Sequence, residues 1–426
     1  MIDLTAELDD LRIDALYRRT MSSGRARLAE MLGGHVEVES SGAWLTTSRG
    51  LRIFNAGGYG VLITGARHPI VVAEVERQLH RHPIGTRIFL EPAAARAAEL
   101  LIGVVPDGLE RVHFSGSGAE AVEAAIILAR LAGRPHLVSR TGGYHGKTMG
   151  ALSITAKDAF QNPFRPLLPD VARVEFGDVV ALDTELAANP GRACVIVEPV
   201  QGEGGVNIPP PGYLRAVQET CARHGALFVL DEIQTGLGRL GSWWGADAAG
   251  VRPDILLSGK ALGGGVLPVA ATIATQRVFS VLDRDPVLHT STFSGAPIAM
   301  AAVSGAIRAI TEDDLVARAA ALGGPLIAEF GRAMAEHLPQ HECEVRGVGL
   351  LIGVSFADPA LAADLLIALV ANGVVANFSL NSDHVVRFTP PAVMSRSDVD
   401  FLIERFERAI RLVAERNPEP EVLAHA

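Results

Sequence analysis

Short apolar runs separated by glycine-rich turns recur through the middle of the chain, each about the length of one buried strand. Leu227 to Leu230 delivers Asp231 and Glu232 at its carboxyl end, and Ile255 to Leu257 delivers Lys260 into a glycine-rich turn. Arg111 to Phe114, His136 to Ser139, Cys194 to Val197 and Val269 to Ala274 read the same way. Helix-forming stretches alternate with these runs. The clearest, Ala119 to Ala132, consists of strong helix formers and stops at Gly133 in the C′ position. This alternation predicts an α/β body, a doubly wound and mostly parallel sheet with helices on both faces. Residues up to about Leu32 read as helix, and Val36 to Asn55 as short strands with glycine turns. A polar loop, Leu288 to Pro297, leads into a small-residue helix, Ala299 to Ile310. From about Glu312 the pattern becomes helix and then strands in VGLLIGVSF and VVRFTPP, a smaller α+β domain. The predicted divisions are 1–57, a leading segment belonging with the small domain, 58–311, the large domain, and 312–426, the rest of the small domain. The tail after Asn417 is expected to be loose.

A chain of 426 residues exceeds the usual size of one hydrophobic core, which fits two domains. A formal net charge of -10 and a pI near 5.7, with no basic run interleaved with aromatics, argue against nucleic-acid binding. Cys194, Cys221 and Cys343 are far apart and form no CxxC pair, so neither a disulfide framework nor a zinc site is expected. No apolar run is long enough to span a bilayer, and the acidic amino terminus lacks a secretory pattern. A reducing, cytoplasmic location is the expectation.

Two strand ends presenting a carboxylate and a lysine suggest pyridoxal phosphate chemistry, although each residue alone has a blander reading as a helix cap or a solvated loop charge. SGSGAEA opens a helix, so the backbone N–H groups of Ser117, Gly118 and Ala119 point at whatever anion sits there. The same segment matches GxGxxA, a dinucleotide signature, but the following strand ends at Arg140 where an acidic residue belongs. TGGYHGKT, Thr141 to Thr148, is nearly a Walker A loop, yet Thr141 stands where glycine is needed, and the segment lacks a strand-to-helix setting with good glycine spacing. The alternative sets Tyr144 flat on an aromatic ring, with His145 beside it and Lys147 near the pocket mouth. Tyr59, among Gly57, Gly58 and Gly60, reads as part of a loop lining a cleft. Glu198 and Glu203 arrive together at the end of another buried strand. Arg387, between Val386 and Phe388, needs a carboxylate partner or a ligand.

With these residues assembled, the chain resembles the class III, or ω-amino, aminotransferases of pyridoxal phosphate fold type I. SGSGAEAVEAAIILAR, GGYHGKTMGALSIT, IVEPVQGEGG, LFVLDEIQTGLGR, ILLSGKALGGG and VRFTPP occur in the family's order over nearly the whole length. Within the family, GGYG, FRPLLPDVARVEFGD and LGGGVLPVAATIAT look most like putrescine and related diamine enzymes, and ornithine-type members are also similar. The resemblance implies that Lys260 is the Schiff-base lysine and carries protons between substrate and cofactor. It implies that Asp231 pairs with the pyridine nitrogen, Gln234 bonds the phenolic oxygen, and Tyr144 and Ile233 press on opposite ring faces, with His145 and Glu198 in support. Ser117, Gly118 and Ala119 would hold the phosphate. Thr292 would reach the phosphate of a neighbouring subunit, which makes the expected unit a homodimer with shared active sites. Arg387 and Glu203 match the family's gate, in which arginine binds an oxo acid's carboxylate and otherwise pairs with the glutamate, and Tyr59 and Lys147 fall on the substrate side. Departures are Gly116 for the usual Asn, Ser294 to Pro297 for GGNP, and Ala66 for the His of GHxHP. Lys147 stands where ornithine-type members carry an arginine, and lysine offers a point charge in place of a fork.

The implied activity is a ping-pong transamination between a terminal amine, such as a diamine or ω-amino compound, or its aldehyde, and 2-oxoglutarate or pyruvate. Alternatives are an aminomutase, racemase or decarboxylase on the same scaffold, a nicotinamide-binding oxidoreductase, and a noncatalytic cofactor binder. The Arg387 and Glu203 pair argues against an aminomutase, because an enzyme of one substrate needs no gate.

Overall fold

The computed structural model describes residues 9–418. Its centre is a seven-stranded sheet. The strands are β1 (Arg111–Ser115), β2 (His136–Arg140), β3 (Val171–Val174), β4 (Ala193–Val197), β5 (Leu227–Asp231), β6 (Ile255–Ser258) and β7 (Ala270–Ala274). They lie in the order β1-β7-β6-β5-β4-β2-β3. The run from β6 through β3 is parallel. β7 is antiparallel to both of its neighbours.

Every residue of β2, β4, β5, β6 and β7 is buried. Strands covered on both faces carry apolar side chains at successive positions, which is why they read as uninterrupted runs. Within β5 the faces still separate: Leu227 and Val229 join one core cluster, and Phe228 and Leu230 join the other. Helix α1 (Gly118–Leu131) covers the first face with Ala121, Val122, Ala125 and Leu128. Because β2, β4, β5 and β6 run the same way, the loops at their carboxyl ends converge on one edge, the usual place for ligands in open α/β sheets.

Helices α2 (Pro297–Glu312) and α3 (Leu315–His337) lead into the second unit. There β8 (Cys343–Val348), β9 (Leu351–Phe356), β10 (Asn377–Ser379) and β11 (Ser382–Phe388) form an antiparallel sheet in the order β8-β9-β11-β10. Helices α4 (Pro359–Ala371) and α5 (Arg396–Arg416) pack against it. Phe330 of α3 stacks on Phe406 of α5 at 3.9 Å between ring centroids, and both meet Phe388 edge-on. The leading strands Glu37–Ser41, Trp44–Thr47 and Arg52–Asn55 pair antiparallel, and the last pairs in parallel with Val374–Val375. Trp44 lies between Phe54 and Phe401, and its Nε1 donates to Asp398 Oδ1 at 2.8 Å.

Three expectations need correction or delimiting. The leading helix is broken by a π-turn over Tyr17–Met21, and Ser22 caps a new helix, Ser23–Met31, by accepting from the Arg25 N–H. VGLLIGVSF is two strands joined at Gly349, whose φ of +56° turns the chain back on itself. The tail beyond Asn417 lies, from residue 419 onward, outside the described residues.

The turn at Gly349 also binds the two units together. A Cβ there would lie 2.5 Å from the Leu240 carbonyl carbon, and the neighbouring Leu350 N–H donates to Arg239 O at 2.9 Å. Gly349→Ala combines a disfavoured φ with a backbone clash and is expected to cost about 2 kcal/mol or more in urea unfolding. A change within experimental error would show that the two segments part freely.

Candidate active site

Asp231 ends β5, is 4% exposed, and is gripped from two sides. Its Oδ2 lies 2.7 Å from His145 Nδ1, and its Oδ1 accepts the Ile233 N–H at 3.1 Å. Burial alone would lower the His145 pKa, but the hydrogen bond and charge of Asp231 outweigh it and raise it. The adjacent Glu232 points elsewhere. It accepts from Thr235 Oγ1 and from the Gly245 and Ala246 N–H groups, anchoring the helix Gly245–Ala249, and burial pushes its carboxyl up to about 7. Neighbouring carboxylates thus divide into one for the site and one for the scaffold.

Lys260 follows β6 with φ of +43°, left-handed backbone that a non-glycine residue adopts only at a cost. Burial lowers its pKa, and Arg387 lowers it further, while Glu203, Asp231 and Glu198 act in the opposite sense. The net direction is down, toward the neutral amine that a nucleophilic lysine needs. Ile233 is wedged beside this turn and against the start of α1. A Cβ on Gly118 would lie 3.0 Å from Ile233 Cδ1, so only glycine lets the helix start approach this closely. Ser117 caps α1 by accepting the Glu120 N–H, and its own hydroxyl donates to Glu120 Oε2 at 3.1 Å. The amides of Gly118 and Ala119 belong to the first helical turn, where no intrahelical acceptor exists.

Glu198 accepts from the Tyr144 N–H at 3.0 Å and from the Gly202 N–H at 3.3 Å. Burial raises its pKa to about 7 against the opposing pull of His145. Gln234 Nε2 is buried without an acceptor among the described residues. Arg387 is wholly buried in β11, with Nη1 2.6 Å from Glu203 Oε1. Among the described residues, none of its N–H groups is aligned on an acceptor. A second buried guanidinium, Arg239, donates to Leu350 O and Pro390 O, and burial plus the nearness of Arg387 depress its pKa to about 9.

Most residues singled out from the sequence therefore gather at one sheet edge: Ser117, Gly118, Ala119, Tyr144, His145, Glu198, Glu203, Asp231, Ile233, Gln234, Lys260 and Arg387. Three do not join this group. The Tyr59 side chain is 58% exposed, although its loop borders the site, since a Cβ on Gly60 would lie 3.7 Å from Lys260 Cδ. Lys147 is exposed, with Nζ 3.8 Å from the centroid of the Phe160 ring. Thr292 is exposed on a loop that Ser294 ties to Phe114 O. Contrary to expectation, Thr141–Thr148 does join a strand to a helix, Met149–Ile154. That helix's Gly150 and Ala151 amides are spent on Glu123 Oε1, so the turn is no phosphate loop. Arg140, which could have suited a nucleotide 2′-phosphate, is 1% exposed with Tyr213 alongside. The hairpin tip between β10 and β11 escaped notice in the sequence. Leu380 and Asn381 touch the site through contacts between segments remote in sequence, and no local pattern marks them.

The donor set fits pyridoxal phosphate: helix-start amides for a phosphate, a buried carboxylate for a ring nitrogen, an orphaned amide for a phenolic oxygen and a depressed amine for an aldehyde. The family model for class III aminotransferases matches residues 29–410. An ornithine aminotransferase from Toxoplasma gondii shares 30% identity and superposes with a TM-score of 0.89, covering 97% of this chain and 97% of that one. An (S)-enantioselective omega-transaminase from Thermomicrobium roseum shares 27% identity with a TM-score of 0.87, covering 96% of this chain and 100% of that one. The chain belongs to the class III aminotransferases, pyridoxal-phosphate-dependent enzymes of fold type I. Among the described residues, no helix is long and apolar enough to cross a membrane.

Glu198 offers a test of this electrostatic arrangement. Its folded pKa of about 7 lies above the ordinary 4.5, so the folded state binds the extra proton and stability falls as pH rises through that window. Glu198→Gln removes this term. Relative to the native protein, the cofactor-free variant is expected to gain stability from about pH 4.5 to about 7 and to level off above, as read from urea midpoints. A difference independent of pH would show that Glu198 is ionised throughout.

Proposed function

We propose that the enzyme moves an amino group between a terminal amine, a diamine or ω-amino compound or its aldehyde, and an oxo acid such as 2-oxoglutarate or pyruvate, the two substrates using one pocket in turn. The observation that carries this reading is the buried Arg387 with Glu203 as its one carboxylate partner among the described residues. A guanidinium stripped of water must face an anion, and losing that anion costs several kcal/mol. An oxo acid brings its own carboxylate and takes the place of Glu203. An amine brings none and leaves Glu203 where it is.

Bound pyridoxal phosphate supplies an electron sink for the substrate carbon. The remaining work falls to the protein. Lys260 moves the proton to and from that carbon, and Asp231, oriented by His145, keeps the ring nitrogen protonated. Tyr144 and Ile233 fix the ring plane, and Gln234 and Glu198 hold its edge and the Tyr144 loop. Ser117, Gly118 and Ala119 bind the phosphate. To contribute its hydroxyl, Ser117 would turn it away from Glu120 Oε2. Tyr59 and Lys147 flank the entering amine. Exposure of Thr292, and of Ile88, Phe89 and Leu90, supports a homodimer in which Thr292 serves the neighbouring subunit's phosphate.

Single additions of putrescine, cadaverine, ornithine, 4-aminobutyrate, glutamate and alanine to the loaded enzyme, followed by cofactor absorbance, name the amine class. Lys260→Ala is expected to abolish the visible band of bound cofactor and turnover, and normal steady-state rates in that variant would refute its role. Arg387→Ala is expected to weaken 2-oxoglutarate by about tenfold or more while affecting the amine far less. Equal losses for both substrates would remove the gate.

A further inference from the structure

The tip of the β10–β11 hairpin sits on the loops that carry the site. The Leu380 N–H donates to Glu203 Oε2 at 2.8 Å, and the Asn381 N–H donates to Glu203 O at 2.9 Å. Asn381 Nδ2 donates to Gly142 O and Gly143 O, at 3.1 and 2.9 Å, just ahead of Tyr144. Lys157 Nζ donates to Leu380 O at 2.9 Å, and Ser379 Oγ donates to Gly202 O at 3.3 Å. One residue, Leu380, is thus fixed at its carbonyl by Lys157 while its N–H holds the gate carboxylate.

This has a consequence for Arg387. Arginine and carboxylate pair most strongly as a two-point fork, which needs both carboxylate oxygens. Here Oε2 accepts from main chain, Oε1 lies 2.6 Å from Arg387 Nη1 without an aligned hydrogen bond, and Nε, Nη1 and Nη2 all lack aligned acceptors among the described residues. The glutamate is placed by the hairpin more than by the guanidinium.

We propose that Asn381 and Leu380 are positioning residues of the gate, which hold Glu203 close to Arg387 but out of a two-point fork with it, so that an entering dicarboxylate displaces it at low cost. A displaced Glu203 keeps the Leu380 N–H and is not stranded. Balance between amine and oxo acid is then set from the tip of the hairpin that carries Arg387, remote in sequence from Glu203. The inference rests on the reading of Arg387 as the oxo-acid anchor.

The test is calorimetric binding of glutarate, a dicarboxylate that cannot accept an amino group, to the loaded enzyme. Asn381→Ala frees the tip from the Tyr144 loop, and Lys157→Met frees the Leu380 peptide from the other side. Each is expected to weaken glutarate by roughly three- to tenfold, the worth of one hydrogen bond. Neither is expected to matter in a Glu203→Ala background, where there is no gate left to position. The same background separates gating from the loss of the Lys157 charge, which would persist without Glu203. Equal losses in both backgrounds, or none in either, would overturn the role of the hairpin. Native enzyme that binds no glutarate would overturn the gate itself.

Discussion

Charge taken out of water has to be answered locally, and this site buries Arg387, Asp231, Glu198 and Glu203 around a part-buried Lys260. An isolated buried ion costs several kcal/mol, a large share of a domain's net stability of about 5–15 kcal/mol, so each is expected to have a partner or change its protonation. His145 answers Asp231, main-chain amides answer Glu198, and Glu203 answers Arg387. For Lys260 and Glu198 burial outweighs the partners, so the pKa of the first falls and that of the second rises to about 7. The depressed pKa of that amine therefore follows from the same accounting of charge that keeps the pocket folded.

The surrounding fold can be read as the apparatus that makes such burial possible. Parallel strands bring Asp231, Glu198 and Lys260 to one edge, and helices on both sheet faces keep water from their stems. The second unit completes the enclosure: Arg387 comes from β11, and the turn at Gly349 locks β8 and β9 against the Arg239 loop. Neither unit alone contains both members of the Arg387–Glu203 pair.

Legibility of these features in the sequence follows the range over which each is determined. Asp231 and Lys260 could be found because an apolar run of strand length immediately precedes each. Arg387 could be found because a charge between Val386 and Phe388 contradicts its surroundings. The direction of β7 could not, since a strand buried on both faces looks the same whichever way it runs. Glu232 is chemically equivalent to Asp231 in the sequence, and only the position of Gly245 and Ala246 in space assigns it to the scaffold. Leu380 and Asn381 act through a backbone N–H and a side-chain amide across segments remote in sequence, a relation no periodicity encodes. The break at Tyr17–Met21 likewise follows from local capping at Ser22, which helix propensity alone underweights.

The parallel pairing of Arg52–Asn55 with Val374–Val375 bears on how the chain comes into being. The leading strands emerge early from the ribosome, but the segment that closes their open edge is made only when most of the polypeptide has been synthesised. At about 5–20 residues per second, that edge stays unsatisfied for tens of seconds. An unpaired strand is a template for any other extended chain. The newborn protein therefore passes through a long interval in which its first sheet is vulnerable to aggregation, and the central sheet, whose strands all lie between, can assemble well before that interval ends.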